Sequence, residues 1–402
     1  MGPITHRLGR IQNALSNLLP FFQDPVFNRR DQDPLACDFM LGNPQEMPLQ
    51  RYVETLQRWV VPQNKDWYAY KMSEEPARQS LAHSLSQQRG LSFLPQDIHL
   101  TTGAFAGLAV CLNAILDPGD EVIFISPPWF FYETLILSAF GVPVRVGIDP
   151  HTFDLDLNAI EAAITPKTRA IIINSPNNPT GKIYPAETLG QLALLLTSAS
   201  QRNGRPVYLL SDESYYRIVY DGRDFISPTN FYPNSFLIYT YGKTLLTPGQ
   251  RLGYIALPPD MPNKGTVGLA VSTSQLTTGY AFPNALLQYS LPELEKLSID
   301  IEHLQEKRDR MVSSLRGMGY DLHVPEGTFY LLPRSPWEDD LAFTHLLAEN
   351  HIYCLPGVIA EMPGYFRISL TASDEMIERA LPGFAALLEK ARREDPAPAP
   401  VN

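Results

Sequence analysis

The sequence predicts an α/β protein whose mostly parallel sheet is covered by helices on both faces, followed by a smaller α+β domain. Three observations lead to this prediction. Between residues 104 and 257, short apolar runs typical of strands buried on both faces alternate with segments of helical periodicity. After Pro292 this alternation stops, and long charged helices and short strands follow. The chain has 402 residues, which is enough for two domains with a large core.

The predicted elements follow one another in a regular order. Residues 1 to about 35 mix pieces of helical spacing with Pro and Asp, which predicts an arm. Helical periodicity predicts helices at 53–59, 74–88, 104–116, 132–140, 157–164, 186–201, 294–318, 341–350 and 374–391. Apolar runs predict strands at 121–126, 142–146, 169–174, 207–212, 236–239, 253–257, 328–332 and 365–370.

These elements also predict how the chain divides into domains. We expect 1–44 to form an arm and part of a small domain, 45–290 a large domain, 291–392 the small carboxyl-terminal domain and 393–402 a disordered tail. The tail alternates Pro with Ala and has too few apolar residues to form a packed core.

Composition excludes several classes of protein. The 43 acidic and 32 basic residues give a net charge of -11, which argues against nucleic acid as a partner. Cys37, Cys111 and Cys354 lie far apart, so they indicate no disulfide framework and no metal site, and they favour a reducing cytoplasm. No long apolar run follows the first residues, which predicts neither a signal peptide nor a membrane span.

Functional side chains stand where the predicted strands end. Trp129 follows the strand that ends at 126, and Asn178 follows the strand that ends at 174. Asp212 and Tyr215 lie at the end of the next strand, and Lys243 lies beyond the strand 236–239. Ligands of open parallel sheets bind beyond the carboxyl ends of the strands, so we expect these groups to meet at one edge.

The chemistry of these groups points to an aromatic aldehyde phosphate. A lysine at the end of a buried strand can be partly desolvated, which lowers its pKa and frees its amine to attack a carbonyl. A single lysine is far more often a surface residue, and what favours a function for Lys243 is the presence of Asp212 and Tyr215. A carboxylate can hold a proton on a ring nitrogen, and an aromatic side chain can stack on the ring. Thr101-Thr102-Gly103 before a helix offers N–H groups to an anion.

Six motifs occur in the order found in one family. They are Thr-Thr-Gly-Ala, Pro-Pro-Trp, Asn-Asn-Pro-Thr-Gly, Asp-Glu-Ser-Tyr, Gly-Lys with an arginine eight residues on, and Tyr-Phe-Arg-Ile-Ser. Over roughly residues 40 to 390 the chain resembles the pyridoxal 5'-phosphate (PLP)-dependent aminotransferases of class I/II, the aspartate and aromatic aminotransferase superfamily of fold type I. The resemblance implies a seven-stranded sheet in a large PLP-binding domain and a homodimer with active sites at its interface. It also implies ping-pong transfer of an amino group between an L-amino acid and a 2-oxo acid.

The resemblance assigns three catalytic residues and two further contacts to the ring of the cofactor. Lys243 would bind PLP as a Schiff base and move the α-proton of the substrate. Asp212 would pair with the pyridinium nitrogen, and Asn178 and Tyr215 would hydrogen-bond the phenolic oxygen. Trp129 would stack on the ring.

The resemblance also implies which residues bind the phosphate. Thr240 and Arg251, with the backbone at Gly103 and Ala104, would hold it within one subunit. Tyr68 would reach the phosphate in the partner subunit, with Tyr70 as the alternative.

Substrate binding is implied for three residues. Arg367 would bind the substrate carboxylate bidentately, near Asn178, and Gly42 would line the substrate site. No metal is expected.

The chain departs from the family pattern at several positions. Phe105 stands where a polar residue is common, Gly242 stands where a serine is common, and the usual glycine a few residues after Tyr70 is missing. No second arginine for a dicarboxylate side chain is apparent, so the sequence does not select the amino donor.

Other functions compete with transamination. The same cofactor could support a β-lyase, a decarboxylase or an amino acid oxidase, and a non-catalytic PLP-binding regulator is a further alternative. Gly242-Lys243-Thr244 resembles the end of a phosphate-binding P-loop, but Leu237 stands where its first glycine should be. The sequence has no His-Glu-x-x-His and no Gly-x-Ser-x-Gly.

Overall fold

The computed structural model describes residues 4–393, so the predicted disordered tail lies outside the described residues except for Arg393. Its helices are α1 His6–Ala14, α2 Leu18–Gln23, α3 Pro25–Asn28, α4 Gln50–Trp59, α5 Glu75–Arg89, α6 Ala104–Ile115, α7 Tyr132–Ser138, α8 Leu157–Ala163, α9 Ala186–Asn203, α10 Tyr241–Thr244, α11 Lys264–Thr277, α12 Ala285–Leu294, α13 Ile301–Met318, α14 Asp340–Glu349 and α15 Asp374–Arg393. Its strands are β1 Cys37–Asp38, β2 Ile98–Thr101, β3 Glu121–Ser126, β4 Val142–Gly147, β5 Thr168–Asn174, β6 Tyr208–Asp212, β7 Ser235–Thr240, β8 Gly253–Ala256, β9 Tyr330–Leu331, β10 Ile352–Tyr353, β11 Leu355–Pro356 and β12 Phe366–Ser369.

A seven-stranded sheet forms the centre of the larger part of the molecule. Its strand order is β2-β8-β7-β6-β5-β3-β4. Neighbouring strands run parallel except for β8, which is antiparallel to both β7 and β2. The predicted mostly parallel sheet is therefore confirmed, and the carboxyl ends of β3, β5, β6 and β7 lie at one edge.

Both faces of this sheet are covered because its strands carry apolar side chains on both sides. Ile172 and Ile238 pack on one face with Val271 of α11. Ile171 and Ile173 pack on the other face with the helix α9. Such strands read as continuous apolar runs rather than as an alternation, which is why the sequence located them.

Two smaller sheets lie in the second part of the molecule. The antiparallel sheet has the order β11-β12-β9, and β1 pairs in parallel with β10. The amino-terminal helices contact both parts of the molecule. Phe27 of α3 packs against His345 of α14, and the Arg7 guanidinium donates to the Ser138 carbonyl oxygen of α7. Among residues 4–393, we find no helix with the length and apolar composition needed to cross a bilayer.

The single long helix predicted at 294–318 is wrong. Residues between α12 and α13 leave the helical conformation, and the Asp300 side chain starts α13 by accepting a hydrogen bond from the His303 N–H. Glu295 lies in this interruption and pairs with Arg217 and Tyr241. Helical periodicity continued across the break, so the polar contacts of Glu295, and not the apolar pattern, mark the end of the first helix.

Candidate active site

A cavity of about 400 Å³ opens at the carboxyl edge of the large sheet. Eight predicted site residues line it: Ala104, Trp129, Asn178, Asp212, Tyr215, Thr240, Lys243 and Arg251. They come from five separate stretches of chain, which meet because their strands run parallel and end at the same level.

Lys243 lies in the short helix α10, immediately after β7, and is half-buried. Its ammonium lies 5.5 Å from the centre of the Tyr215 ring and 5.7 Å from the centre of the Phe329 ring. Thr240 caps α10 by accepting a hydrogen bond from the Gly242 N–H. The end of a buried strand therefore presents the lysine to the cavity, as the sequence predicted.

Asp212 is a buried carboxyl group surrounded by neutral donors. Its Oδ2 accepts a hydrogen bond from the Tyr132 hydroxyl at 2.7 Å, and its Oδ1 accepts one from the Ser214 hydroxyl at 2.6 Å. Burial raises the pKa of Asp212, and these two hydrogen bonds together with the charge of Lys243 oppose that rise. Within the described chain, no cation forms an ion pair with Asp212. Its environment suits a cation that comes from outside the chain.

Asn178 connects the cavity lining to Arg367. Its backbone N–H donates to Asn174 Oδ1 at 2.7 Å, which holds the loop after β5 in place. Its side-chain oxygen accepts a hydrogen bond from Arg367 Nη1 at 3.0 Å, and Arg367 Nη2 donates to the Met40 carbonyl oxygen at 3.1 Å. The remaining nitrogen, Nε, is buried without a hydrogen-bond partner. A buried guanidinium with a free donor suits a carboxylate ligand.

The amino end of α6 forms an anion cradle. Gly103 caps the helix with a φ of 91°, in a region that favours glycine. A Cβ at Gly103 would lie 2.7 Å from Arg251 Nη2 and 3.4 Å from Thr240 Oγ1. The absence of that Cβ lets Arg251 and Thr240 approach the free N–H groups of the helix, where a phosphate is favoured.

Aromatic side chains surround the open side of the cavity. Trp129 meets Phe105 edge-on, with their ring centres 4.9 Å apart, and Phe131 stacks on Phe105 at 5.0 Å. Phe105 is 37% exposed. Phe105 therefore places an apolar ring beside the phosphate cradle, at the position where the family often has a polar residue.

The second departure from the family pattern has a local cause. A Cβ at Gly242 would lie 2.9 Å from the backbone Cα of Pro248. A serine at position 242 would require the following loop to move, so the position of Pro248 requires glycine at position 242.

Four predicted residues do not line the cavity: Gly103, Arg367, Gly42 and Tyr68. Gly103 and Arg367 lie next to residues that do, Arg251 and Asn178 respectively. Gly42 lies against two aromatic side chains, where an added Cβ would be 2.6 Å from the Tyr330 hydroxyl oxygen and 2.9 Å from Phe329 Cε2. Tyr68 is 57% exposed, and its hydroxyl donates to the Val60 carbonyl oxygen of the same chain. The roles of Gly42 and Tyr68 stay predictions.

Sequence reasoning missed four residues around the site. Tyr132 and Ser214 hold Asp212, Asn174 orients Asn178, and Tyr330 contacts both Tyr215 and Arg367. Two of them carried a weak signal, since Ser214 lies inside the Asp-Glu-Ser-Tyr motif and Tyr132 follows Trp129 by three residues.

Comparison with known proteins assigns the family. The profile of the family described as "Aminotransferase class I and II" matches residues 37–384. The chain belongs to the class I and II aminotransferases. This aminotransferase is 32% identical over 354 residues to the aspartate/prephenate aminotransferase of Thermus thermophilus, across 85% of this chain and 88% of the relative. It is 28% identical over 380 residues to a probable aspartate aminotransferase of Methanocaldococcus jannaschii, across 92% of this chain and 98% of that relative.

Solved structures share its fold. An amino transferase from Eubacterium rectale matches with a TM-score of 0.84 at 29% identity, over 97% of this chain and 96% of the other. A single mutant of Thermus thermophilus aspartate aminotransferase matches with a TM-score of 0.81 at 28% identity, over 96% and 100% of the two chains. The predicted fold type I, PLP dependence and amino transfer are confirmed.

The cavity of this aminotransferase fits PLP in three respects. The Asp212 carboxyl suits a protonated ring nitrogen, because its donors within the described chain are neutral. The cradle between Gly103, Thr240 and Arg251 suits a phosphate. Lys243 lines the same cavity and supplies an amine for an aldehyde.

Proposed function

We propose that this aminotransferase carries out both half-reactions of transamination in the cavity at the carboxyl edge of the sheet, with Lys243 as its covalent lysine. The observation that carries the proposal is that three groups suited to different parts of PLP and the substrate lie close together. They are an amine, a buried carboxyl that contacts only neutral donors and a buried guanidinium with one unpaired nitrogen.

Each side chain has a distinct task in this proposal. Bound PLP supplies a ring that accepts electrons from the substrate α-carbon. Asp212 keeps the ring nitrogen protonated, while Asn178 and Tyr215 hydrogen-bond the ring oxygen. Trp129 stacks on the ring. These contacts hold the ring so that Lys243 can reach the proton it moves.

Two separate groups of residues bind the two anionic groups. Thr240, Arg251 and the N–H groups at Gly103 and Ala104 bind the phosphate, because a helix amino terminus and a guanidinium both favour anions. Arg367 binds the substrate carboxylate through its unpaired Nε and the Nη groups. The carboxylate then lies beside Asn178, and the substrate α-carbon faces Lys243.

Replacing Lys243 tests this proposal. The Lys243→Ala variant should lose the visible absorbance of the holoenzyme and both half-reactions, because no other lysine lines the cavity among residues 4–393. The exposed Lys167→Ala is a matched control that should keep the absorbance and the turnover. Steady-state transamination by purified Lys243→Ala at the wild-type rate would refute the assignment.

We further propose that the amino donor is aromatic or large and apolar. The relatives are named for aspartate or for aspartate and prephenate. In the described chain, the cations that line the cavity are Lys243 and Arg251, and both have other roles. Phe105, Trp129 and Phe131 present rings at the open side. Bleaching of the visible band should show a higher kcat/KM for phenylalanine than for aspartate. Phe105→Ala should lower the ratio of kcat/KM for phenylalanine to kcat/KM for aspartate. Faster bleaching by aspartate would contradict the proposed preference.

We infer a homodimer from exposed apolar side chains. Val61, Tyr68, Tyr70, Leu276 and Phe282 are all exposed, and Tyr70 is 86% exposed. Tyr70 and Phe282 come from distant segments, yet their ring centres lie 5.0 Å apart. A second copy on this surface would bury them and would bring Tyr68 or Tyr70 near the partner's phosphate. Light scattering should give twice the chain mass, and Phe282→Lys should weaken the dimer.

The remaining assignments are also proposals. We propose a large domain at 45–290 and a small domain at 291–392, with 1–44 divided between the arm and the small domain. The helix Ala285–Leu294 continues across the boundary at 290. We propose a cytoplasmic location because Cys37, Cys111 and Cys354 are buried free thiols, which suits a reducing compartment.

A further inference from the structure

One buried phenol outside the roles above contacts both Tyr215 and Arg367. Tyr330 belongs to β9 and is 3% exposed. Its hydroxyl lies 3.3 Å from the Tyr215 hydroxyl, which faces the cofactor end. Its ring lies under the Arg367 guanidinium, whose central carbon is 4.0 Å from the ring centre. One side chain therefore contacts a residue at each end of the site.

The contact with Arg367 completes the fixing of that guanidinium. Nη1 is held by Asn178, Nη2 is held by the Met40 carbonyl oxygen, and one flat face rests on Tyr330. A planar cation on an aromatic face is attracted by the ring's quadrupole and loses little freedom. With these three contacts made, Nε is left in a fixed position as the unpaired donor.

The contact with Tyr215 is a hydrogen bond between two phenols. The Tyr215 hydroxyl donates to the Tyr330 oxygen at 3.3 Å. Burial raises the pKa of Tyr330, but the positive charges of Arg367 and Lys243 outweigh it and leave the pKa below its ordinary value. Burial keeps the pKa of Tyr215 well above its ordinary value. When Tyr215 turns its proton to an oxygen anion in the cavity, Tyr330 can donate to Tyr215 in return, because each phenol is both donor and acceptor.

The fold reserves space for this hydroxyl. Gly42 lies against it, and a Cβ there would be 2.6 Å from the Tyr330 oxygen. The predicted importance of Gly42 for the substrate site thus has a physical explanation, since any larger residue at 42 would push the phenol out of place.

We propose that Tyr330 is a positioning residue that acts on both ends of the site, through its hydroxyl on Tyr215 and through its ring on Arg367. This inference rests on the proposed function, in which Tyr215 contacts the cofactor and Arg367 binds the carboxylate.

Two substitutions separate the hydroxyl from the ring. Tyr330→Phe removes the hydroxyl and keeps the ring, and Tyr330→Leu removes both. Tyr320→Phe is a matched control, since Tyr320 is a buried phenol whose hydroxyl bonds the distant Phe384 carbonyl oxygen. Tyr330→Met is a second variant without an aromatic face, for use where Tyr330→Leu does not fold.

The first readout is the pH midpoint of the visible band of the holoenzyme without substrate. A hydrogen-bond donor to the ring oxygen of PLP withdraws electron density from that oxygen. The Lys243 nitrogen joined to PLP beside it then binds its proton less tightly. Weakening the donor therefore raises the pH midpoint of the visible band. Tyr330→Phe should raise it, by less than Tyr215→Phe does, and should add nothing in a Tyr215→Phe background. Tyr320→Phe should not move it. An unchanged midpoint in Tyr330→Phe would overturn the hydroxyl's role.

The second readout is the dissociation constant of a 2-methyl amino acid, which binds without losing an α-proton. Tyr330→Phe should stay within about twofold of wild type, because the ring remains. Tyr330→Leu or Tyr330→Met should weaken binding by roughly 5- to 30-fold, the loss expected for a desolvated cation–π contact. Equal binding by all variants would overturn the ring's role. Failure of the proposed function looks different, because Lys243→Ala would then keep the visible band and the turnover.

Discussion

Asp212 and Glu213 are neighbouring buried carboxyl groups that meet different surroundings. Asp212 lines the cavity and accepts hydrogen bonds from the hydroxyls of Tyr132 and Ser214. Glu213 lies on the other side and pairs with Arg89 at 2.7 Å, where the exposed fractions of the two side chains are 3% for Arg89 and 0% for Glu213. Asp212 ends β6, and the Glu213 N–H continues the pairing by donating to the Ile238 carbonyl oxygen. Successive residues of extended backbone point to opposite faces, so the two carboxyl groups meet different environments.

The two carboxyl groups differ in what opposes the effect of burial on their pKa. Burial raises the pKa of both groups. The main opposing influence on Glu213 is the charge of Arg89, whereas the main opposing influence on Asp212 is a neutral hydroxyl, that of Ser214. A buried carboxylate without a paired cation is costly. A group of this kind that lines a cavity is therefore a candidate for function, whereas Glu213 is neutralised within the chain.

The largest expected effect is the loss of the cation beside Glu213. Arg89→Met should lower the free energy of unfolding by about 3–5 kcal/mol, because it leaves a buried carboxylate unpaired. Urea unfolding at pH 7 measures this loss. The folded fraction should keep its turnover, since Arg89 does not line the cavity. Wild-type stability in Arg89→Met would show that the ion pair contributes nothing.

The pH dependence of that loss has a definite sign. Burial raises the folded-state pKa of Glu213 above its ordinary value of 4.5. This carboxyl therefore contributes most to stability at low pH, where it is neutral, and the contribution falls as pH rises. The loss caused by Arg89→Met should shrink between pH 7 and pH 5, because a protonated Glu213 needs no guanidinium. An equal loss at both pH values would contradict the explanation.

The next largest effect is expected at Asp212, and it should appear in the rate rather than in stability. Asp212→Asn should lower kcat/KM on the order of 10²- to 10³-fold, about 3–4 kcal/mol, as for the loss of one preorganised electrostatic contact. The midpoint temperature of thermal unfolding of the cofactor-free protein should not fall, because a neutral amide costs less free energy to bury than a carboxylate. Glu213→Gln is the matched control and should show the reverse pattern. A large stability loss in Asp212→Asn would remove the contrast.

The smallest effect is expected from the donors around Asp212. Tyr132→Phe removes one hydrogen bond that lowers the pKa of Asp212, worth about 0.5–1.5 kcal/mol. The pKa then rises, and activity that needs the ionised carboxylate is lost at a higher pH. The acid limb of the kcat/KM profile should move to higher pH, and Ser214→Ala should move it in the same direction. A limb that stays in place would show that this group does not control the profile.

Much of the site was predictable because its signals are local. Trp129, Asn178 and Lys243 each follow a recognisable buried strand within a few residues, and Asp212 is the last residue of one. Parallel strands bring their carboxyl ends to one edge, so a list of strand ends is also a list of neighbours. The same reasoning located the strands themselves, since side chains buried on both faces leave continuous apolar runs.

The failures share a different physical origin. The break after the helix Ala285–Leu294 was not predicted, because helical periodicity carries no information on the ion pair between Glu295 and Arg217. The strand Ile98–Thr101 was missed as well, because it has only four residues and includes a buried histidine.

Local pattern was enough to predict the class of fold, six of the seven strands of the large sheet, the cavity-lining Lys243 and Asp212, and the family to which the chain belongs. Packing between distant segments was needed to show that Tyr132 supports Asp212, that Arg89 neutralises Glu213 and that Tyr330 lies under Arg367. The reason is that periodicity and turn chemistry act over a few residues. A contact between residues far apart in the sequence exists only after the core has brought their backbones together.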